Sequence, residues 1–159
     1  MSELLIRSAI VEDIESVAAL GAEIVRLHHA TNPQRFFMLD DVENGYASWL
    51  AREIEREGVV VLVALRDDTV VGYAYGAIEA RDWSILVDSH GAFHDLCVAR
   101  HARRQGVGRK LAQVMIERLE ALGAQRILLR AMVQNDGAQR LAAELGFDAT
   151  MLEMTRERS

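Results

Sequence analysis

The chain opens on a short apolar strand, LLIRSA, and then changes period. Ile14, Val17, Ala18, Gly21, Ile24 and Leu27 recur at helical spacing, the stripe of a helix lying with one face on a core. Glu12, Asp13 and Glu15 stand where the helix dipole favours negative charge. HHATNPQRFFMLD holds the only proline, Pro33, and is expected to be a loop. Val42, Tyr46, Trp49, Leu50 and Ile54 then mark a second amphipathic helix, stopped by Gly58.

VVVLVAL is too short for a helix and too rich in β-branched residues to favour one, which predicts a buried strand. RDDT turns it back into VVGYAYGAI as a hairpin. EARDWSILVDSHG reads as a connection and AFHDLCV as a strand. Leu111, Val114, Met115, Leu119 and Leu122 stripe a helix that Gly123 ends. RILLRAMV predicts another buried strand, DGAQRLAAELG a short helix and FDATMLEMT a final strand. The order β, α, α, β, β, β, α, β, α, β describes one mixed α/β domain over residues 1–159. Its later βαβ crossover should set AFHDLCV and RILLRAMV parallel and side by side.

Composition narrows the setting. Half of the residues are hydrophobic and 26% are charged, as in globular proteins generally. One cysteine, Cys97, rules out an intramolecular disulfide and fits a reducing cytoplasm. The N-terminus has no signal-like apolar stretch, and no run reaches the length of a membrane span. The expectation is a cytoplasmic chain without a membrane partner. A net charge of -6 argues against general nucleic-acid binding and leans toward cationic partners.

Arg100, Arg103, Arg104, Arg109 and Lys110 break that acidic trend just where Gly106 and Gly108 open a helix. The first amides of a helix have no internal acceptor, and glycines let backbone close around a phosphate. Arg103, Arg104 and Arg109 would add charge; a plain solvated charge run is the competing interpretation. GVGRKL lacks the Lys-Ser/Thr ending of a nucleoside-triphosphate loop and the third glycine of a dinucleotide fingerprint. A diphosphate held without metal fits better.

DLCVARHARRQGVGRKL resembles the GNAT superfamily of acyl-CoA-dependent N-acetyltransferases, whose Arg/Gln-x-x-Gly-x-Gly/Ala signature falls on Arg103, Gly106 and Gly108. NDGAQRLAAELGF is similar to a second family segment, with Asn135, Ala138 and Leu141 leading to Leu145, Gly146 and Phe147. The likeness spans essentially the whole chain. It implies a GNAT fold: a central mixed, mostly antiparallel sheet splayed between two parallel strands, with helices on both faces. It also implies acetyl-CoA as co-substrate, with no metal. Arg103, Arg104, Gln105, Gly106, Val107, Gly108, Arg109 and Lys110 would surround the pyrophosphate, the amides from Gly106 to Lys110 binding it. The strands would part after Val98, the pantetheine arm bonding to the backbone of Cys97 and Val98. Asn135, Ala138 and Arg140 would flank the cofactor from the other side.

The implied reaction is direct attack of an amine on the thioester, which needs a base, an oxyanion donor and an acid. The donor would be a backbone N–H near Cys97. Histidine titrates nearest neutral pH, so His94 is a candidate base, though a strand histidine also serves simply to satisfy its neighbours. Asp95 is a second candidate or an amine-orienting group, and Glu79 a third, relaying protons through water. Cys97 reads as a small core residue rather than a nucleophile. Tyr73 and Tyr75, on one strand face, read as packing. The tyrosine acid of many relatives would fall at Ala142, so no acid is assigned. The acceptor would be a small amine or a protein N-terminus, its pocket shaped by HHATNPQRFF and EARDWSILVDSHG. A non-catalytic acyl-CoA sensor is the alternative, and a homodimer is an assembly common among relatives.

Overall fold

The computed structural model describes residues 2–159. Strand β1 (Leu5–Ser8) leads into helices α1 (Ile14–Thr31) and α2 (Val42–Glu53). Strands β2 (Val59–Arg66), β3 (Thr69–Glu79) and β4 (His90–Val98) follow, then α3 (Val107–Ala121), β5 (Ile127–Leu129) and α4 (Asp136–Glu144). The five strands lie in sequence order, β1-β2-β3-β4-β5. All neighbours are antiparallel except β4 and β5, the crossover pair, which run parallel as the sequence predicts.

The unbroken apolar run of β2 follows from burial on both sides of the sheet. Val60, Leu62 and Ala64 face α3, packing with Val107, Leu111, Met115 and Leu119. Val61, Val63 and Leu65 face α1 and α2, packing with Val17, Leu20 and Leu50. Asp67 and Asp68 both take positive φ, +48° and +59°, as a two-residue hairpin turn matched to strand twist requires.

Three expectations change. His28 and His29 belong to the last turns of α1 rather than to a loop, because the helix continues until Pro33 forces Asn32 out of the helical region. RILLRAMV contributes only the three residues of β5. FDATMLEMT forms no strand at all; Met151, Leu152 and Met154 are 79–88% exposed, and Glu153 pairs with Arg35 of the α1–α2 loop. Strand propensity needs a ladder to express it, and β5 offers only a short edge.

β3 carries glycine where α3 comes close. A Cβ on Gly76 would lie 2.8 Å from Met115 Sδ and 3.0 Å from the Ala92 carbonyl oxygen. Gly76→Ala should therefore destabilise the fold by about 1–3 kcal/mol through overpacking, measured as a lowered midpoint in chemical denaturation. An unchanged midpoint would show that α3 has room to retreat.

Candidate active site

The centre of the site is an irregularity in β4. Phe93 opposes Gly76 and Asp95 opposes Tyr75, so His94 is an extra residue with no partner on β3. Such a bulge bends its strand and reverses the alternation beyond it. Before it, the Gly91 N–H donates to Arg126 at 2.8 Å, and parallel pairing runs from Gly91–Ile127 to Phe93–Leu129. Beyond it, the Ala99 N–H donates to the Val71 carbonyl at 2.8 Å. Counting back by two from Ala99 points Cys97 at β3 and Leu96 and Val98 away from it. The Cys97 carbonyl agrees, lying 3.0 Å from the place of a Cβ on Gly72.

Two corrections follow. β4 and β5 part after Phe93, at the bulge, and not after Val98. The backbone turned into the gap belongs to Leu96 and Val98, whereas that of Cys97 is held in the β3 ladder. Leu96 was missed because a bulge leaves no mark in hydrophobic alternation. The Val98 carbonyl is already engaged, accepting from Arg103 Nε at 3.0 Å, which leaves its N–H.

Beside the gap the chain turns into α3. Arg104 (φ +62°) and Gly106 (φ +80°) take left-handed conformations, and Gly106 caps the helix. The amides of Val107, Gly108 and Arg109 are first-turn groups without a helical acceptor. The Lys110 N–H is not among them, since it donates to Gly106 at 3.1 Å. The basic side chains divide. Arg104 and Arg140 line one cavity of about 360 Å³ with Gly137, Leu141 and Glu144. Arg103 turns instead to Val98 and Glu23, and Arg109 pairs with Glu144 of α4. Gln105 is taken up by Arg66 and the His101 carbonyl. Asn135 caps α4, its Oδ1 accepting from the Ala138 N–H at 3.0 Å.

On the α1–α2 face, the bulge brings His94 and Asp95 to the same side. The His94 ring stacks on Tyr75 at 5.4 Å, and its Nε2 lies 3.4 Å from Glu79 Oε1. Asp95 Oδ2 accepts from Tyr46, and Tyr73 Oη lies 3.0 Å from the same oxygen. Burial, reinforced by the Asp95 charge, pushes both phenols well above their ordinary range and keeps them donors. Tyr75 donates to Glu53 Oε2 at 2.5 Å. Although burial opposes it, donation from Tyr75 and Arg56 holds the Glu53 carboxyl below its usual range. Tyr73 and Tyr75 thus pack, and their hydroxyls also bind carboxylates. In the sequence Tyr46 belongs to the apolar stripe of α2, and what sets it apart is a tyrosine on a core face, whose hydroxyl must find a partner. His28 and His29 engage the carbonyls of Ile24 and Phe36, each at 2.8 Å. Ala142 is buried.

A family model described as Acetyltransferase (GNAT) family matches residues 22–147. No curated protein matches the chain. Among solved structures, a single-site mutant of the BH1408 protein from Bacillus halodurans is 23% identical, the match covering 98% of this chain and 99% of that one at a TM-score of 0.84. Aminoglycoside N-acetyltransferase AAC(6')-Iy, in complex with CoA, is 16% identical over 99% of this chain and 96% of its own, with a TM-score of 0.76. An aminoglycoside acetyltransferase from an uncultured soil metagenomic sample, in complex with sisomicin, is 20% identical, covering 98% and 95% at 0.66. At these identities the likeness is one of fold.

Cys97 supplies a direct check on the geometry. Burial pushes its thiol up to about 11, and the reactive species is the thiolate. At neutral pH the folded protein should resist iodoacetamide, and labelling should accelerate as the pH approaches that value or on unfolding. Rapid labelling of the folded chain at neutral pH would contradict its place in the β3 ladder.

Proposed function

The chain belongs to the GNAT acetyltransferase family, and on that premise we propose that it moves an acetyl group from acetyl-CoA to a primary amine by direct attack. The observation that carries this reading is the freed β4 backbone at Leu96 and Val98, next to the unpaired first-turn amides of α3. One edge can hold an amide-bearing arm as an added strand would; the other meets a diphosphate. The surroundings fit the ligand: a Cβ on Gly106 would meet nothing within 4 Å, so the turn opens onto free space. Val107, Gly108 and Arg109 would hold the pyrophosphate through their amides, and Arg104 and Arg140 would face its anionic end. Bound there, acetyl-CoA supplies the activated acyl group.

The protein's own residues would perform the rest. With Glu79 accepting from Nε2 of His94, the lone pair sits on Nδ1, and Nδ1 takes the proton from the acceptor ammonium. The Leu96 N–H, turned into the gap, is the donor for the oxygen on which negative charge develops. The thiolate leaves with a proton from water, because buried Ala142 offers none, and that water takes the second proton released as the attacking nitrogen becomes the amide. The acceptor is a small amine or a protein N-terminus reached from the α1–α2 side. The decisive experiment is an acetyl-CoA turnover screen against an amine panel; binding without turnover of any amine would favour the acyl-CoA sensor.

Two expectations follow. Acetyl-CoA at about a hundred times its dissociation constant should stabilise the fold by about 2.7 kcal/mol. In Gly108→Val the added Cβ meets Val98 Cγ2 at an ordinary 3.5 Å, so the protein should fold but lose that thermal shift; a retained shift would remove the diphosphate assignment. His94→Ala should lower kcat/KM for the amine about 10²–10⁴-fold, the worth of a positioned acid–base group. An unchanged kcat/KM would place the base elsewhere.

A further inference from the structure

Gly21 stands within α1, where glycine weakens a helix. A Cβ there would fall 2.4 Å from Tyr46 Cε1 and 2.5 Å from Cζ. The Tyr46 ring, carried by α2, therefore occupies the place of a side chain on α1. This gap lets its hydroxyl reach the residue that follows the β4 bulge. Tyr46 gives its hydrogen to Asp95 Oδ2. Tyr73 Oη lies 2.6 Å from Tyr46 Oη and 3.0 Å from that same Oδ2. Among the described residues no donor takes Oδ1. Asp95 is thus gripped through one oxygen, from two elements, on the face it shares with His94.

We propose that Tyr46 is a positioning residue: seated in the Gly21 gap, it clamps Asp95 by Oδ2 so that Oδ1 receives a hydrogen of the incoming ammonium. The inference rests on the amine-acetylation reading and narrows its acceptor to a cationic primary amine. One ammonium hydrogen goes to His94, and Asp95 orients another. A neutral hydroxyl acceptor, with a single hydrogen, cannot satisfy both groups. Tyr46 does not touch the amine and acts only through Asp95.

The test is steady-state kinetics of Tyr46→Phe, Gly21→Ala and Asp95→Asn with the best amine from the panel. Phenylalanine keeps the ring in the gap and removes only the donor. Tyr46→Phe should lower kcat/KM for the amine about ten- to a hundredfold, the worth of a hydrogen bond to a charged group. The KM for acetyl-CoA should stay unchanged. Gly21→Ala, which displaces the ring, should act in the same direction. Adding Tyr46→Phe to Asp95→Asn should cost nothing further, because the clamp acts only through that carboxylate. A merely structural role would instead reduce the active fraction, lower the parameters of both substrates together and add to Asp95→Asn. Any of those results, or an amine kcat/KM unchanged in Tyr46→Phe, overturns the inference alone. A wild-type chain inactive toward every amine overturns the acetylation reading and this inference with it.

Discussion

The unpaired residue at position 94 organises the rest of the molecule. One extra residue in β4 breaks its register with β3, ends the ladder with β5 at Phe93 and reverses which backbone groups face outward. It also turns His94 and Asp95 together toward the α1–α2 face. Without it, period two would place the His94 and Asp95 side chains on opposite faces. The gap, the free amides and the side-chain cluster are three results of one insertion.

Around that irregularity the protein divides its work between backbone and side chains. One half consists of a helix start, a left-handed turn and strand amides, with Arg104 and Arg140 lining the cavity beside them. Two of the conspicuous arginine side chains also tie elements together: Arg103 reaches the end of β4 and Arg109 joins α3 to α4. The opposite half consists of carboxylates held by phenols and an imidazole stacked on Tyr75.

Much of this was legible in the sequence. The helical stripes of α1, α2 and α3 and the unbroken apolar run of β2 follow from burial in the core, and burial is what hydrophobicity records. Gly106 reveals the turn into α3 because its left-handed backbone requirement is local. What stayed hidden depended on long-range partners. Nothing near His94 marks the bulge, since its cause is register against β3. The apolar pattern of FDATMLEMT promised a strand, but pairing needs an edge, and β5 stops at Leu129. Tyr46 looked like one more core aromatic, and only its distance to Asp95 distinguishes it. The motif fitted an anion site, yet it could not say that the Lys110 amide was already bonded within the helix.

The amide-built half has a consequence for how such a chain can change over generations. Backbone N–H groups are common to every residue but proline, so most replacements along the α3 turn leave its donors in place, Gly106 being held by its left-handed conformation. The facing half has no such indifference, because Tyr46, Tyr73, Asp95 and His94 act through their own functional groups. Random substitution therefore falls unevenly: the backbone-built side absorbs it, and the side-chain cluster registers it. A lineage built on this plan can keep the amide turn unchanged while the side-chain cluster opposite it drifts.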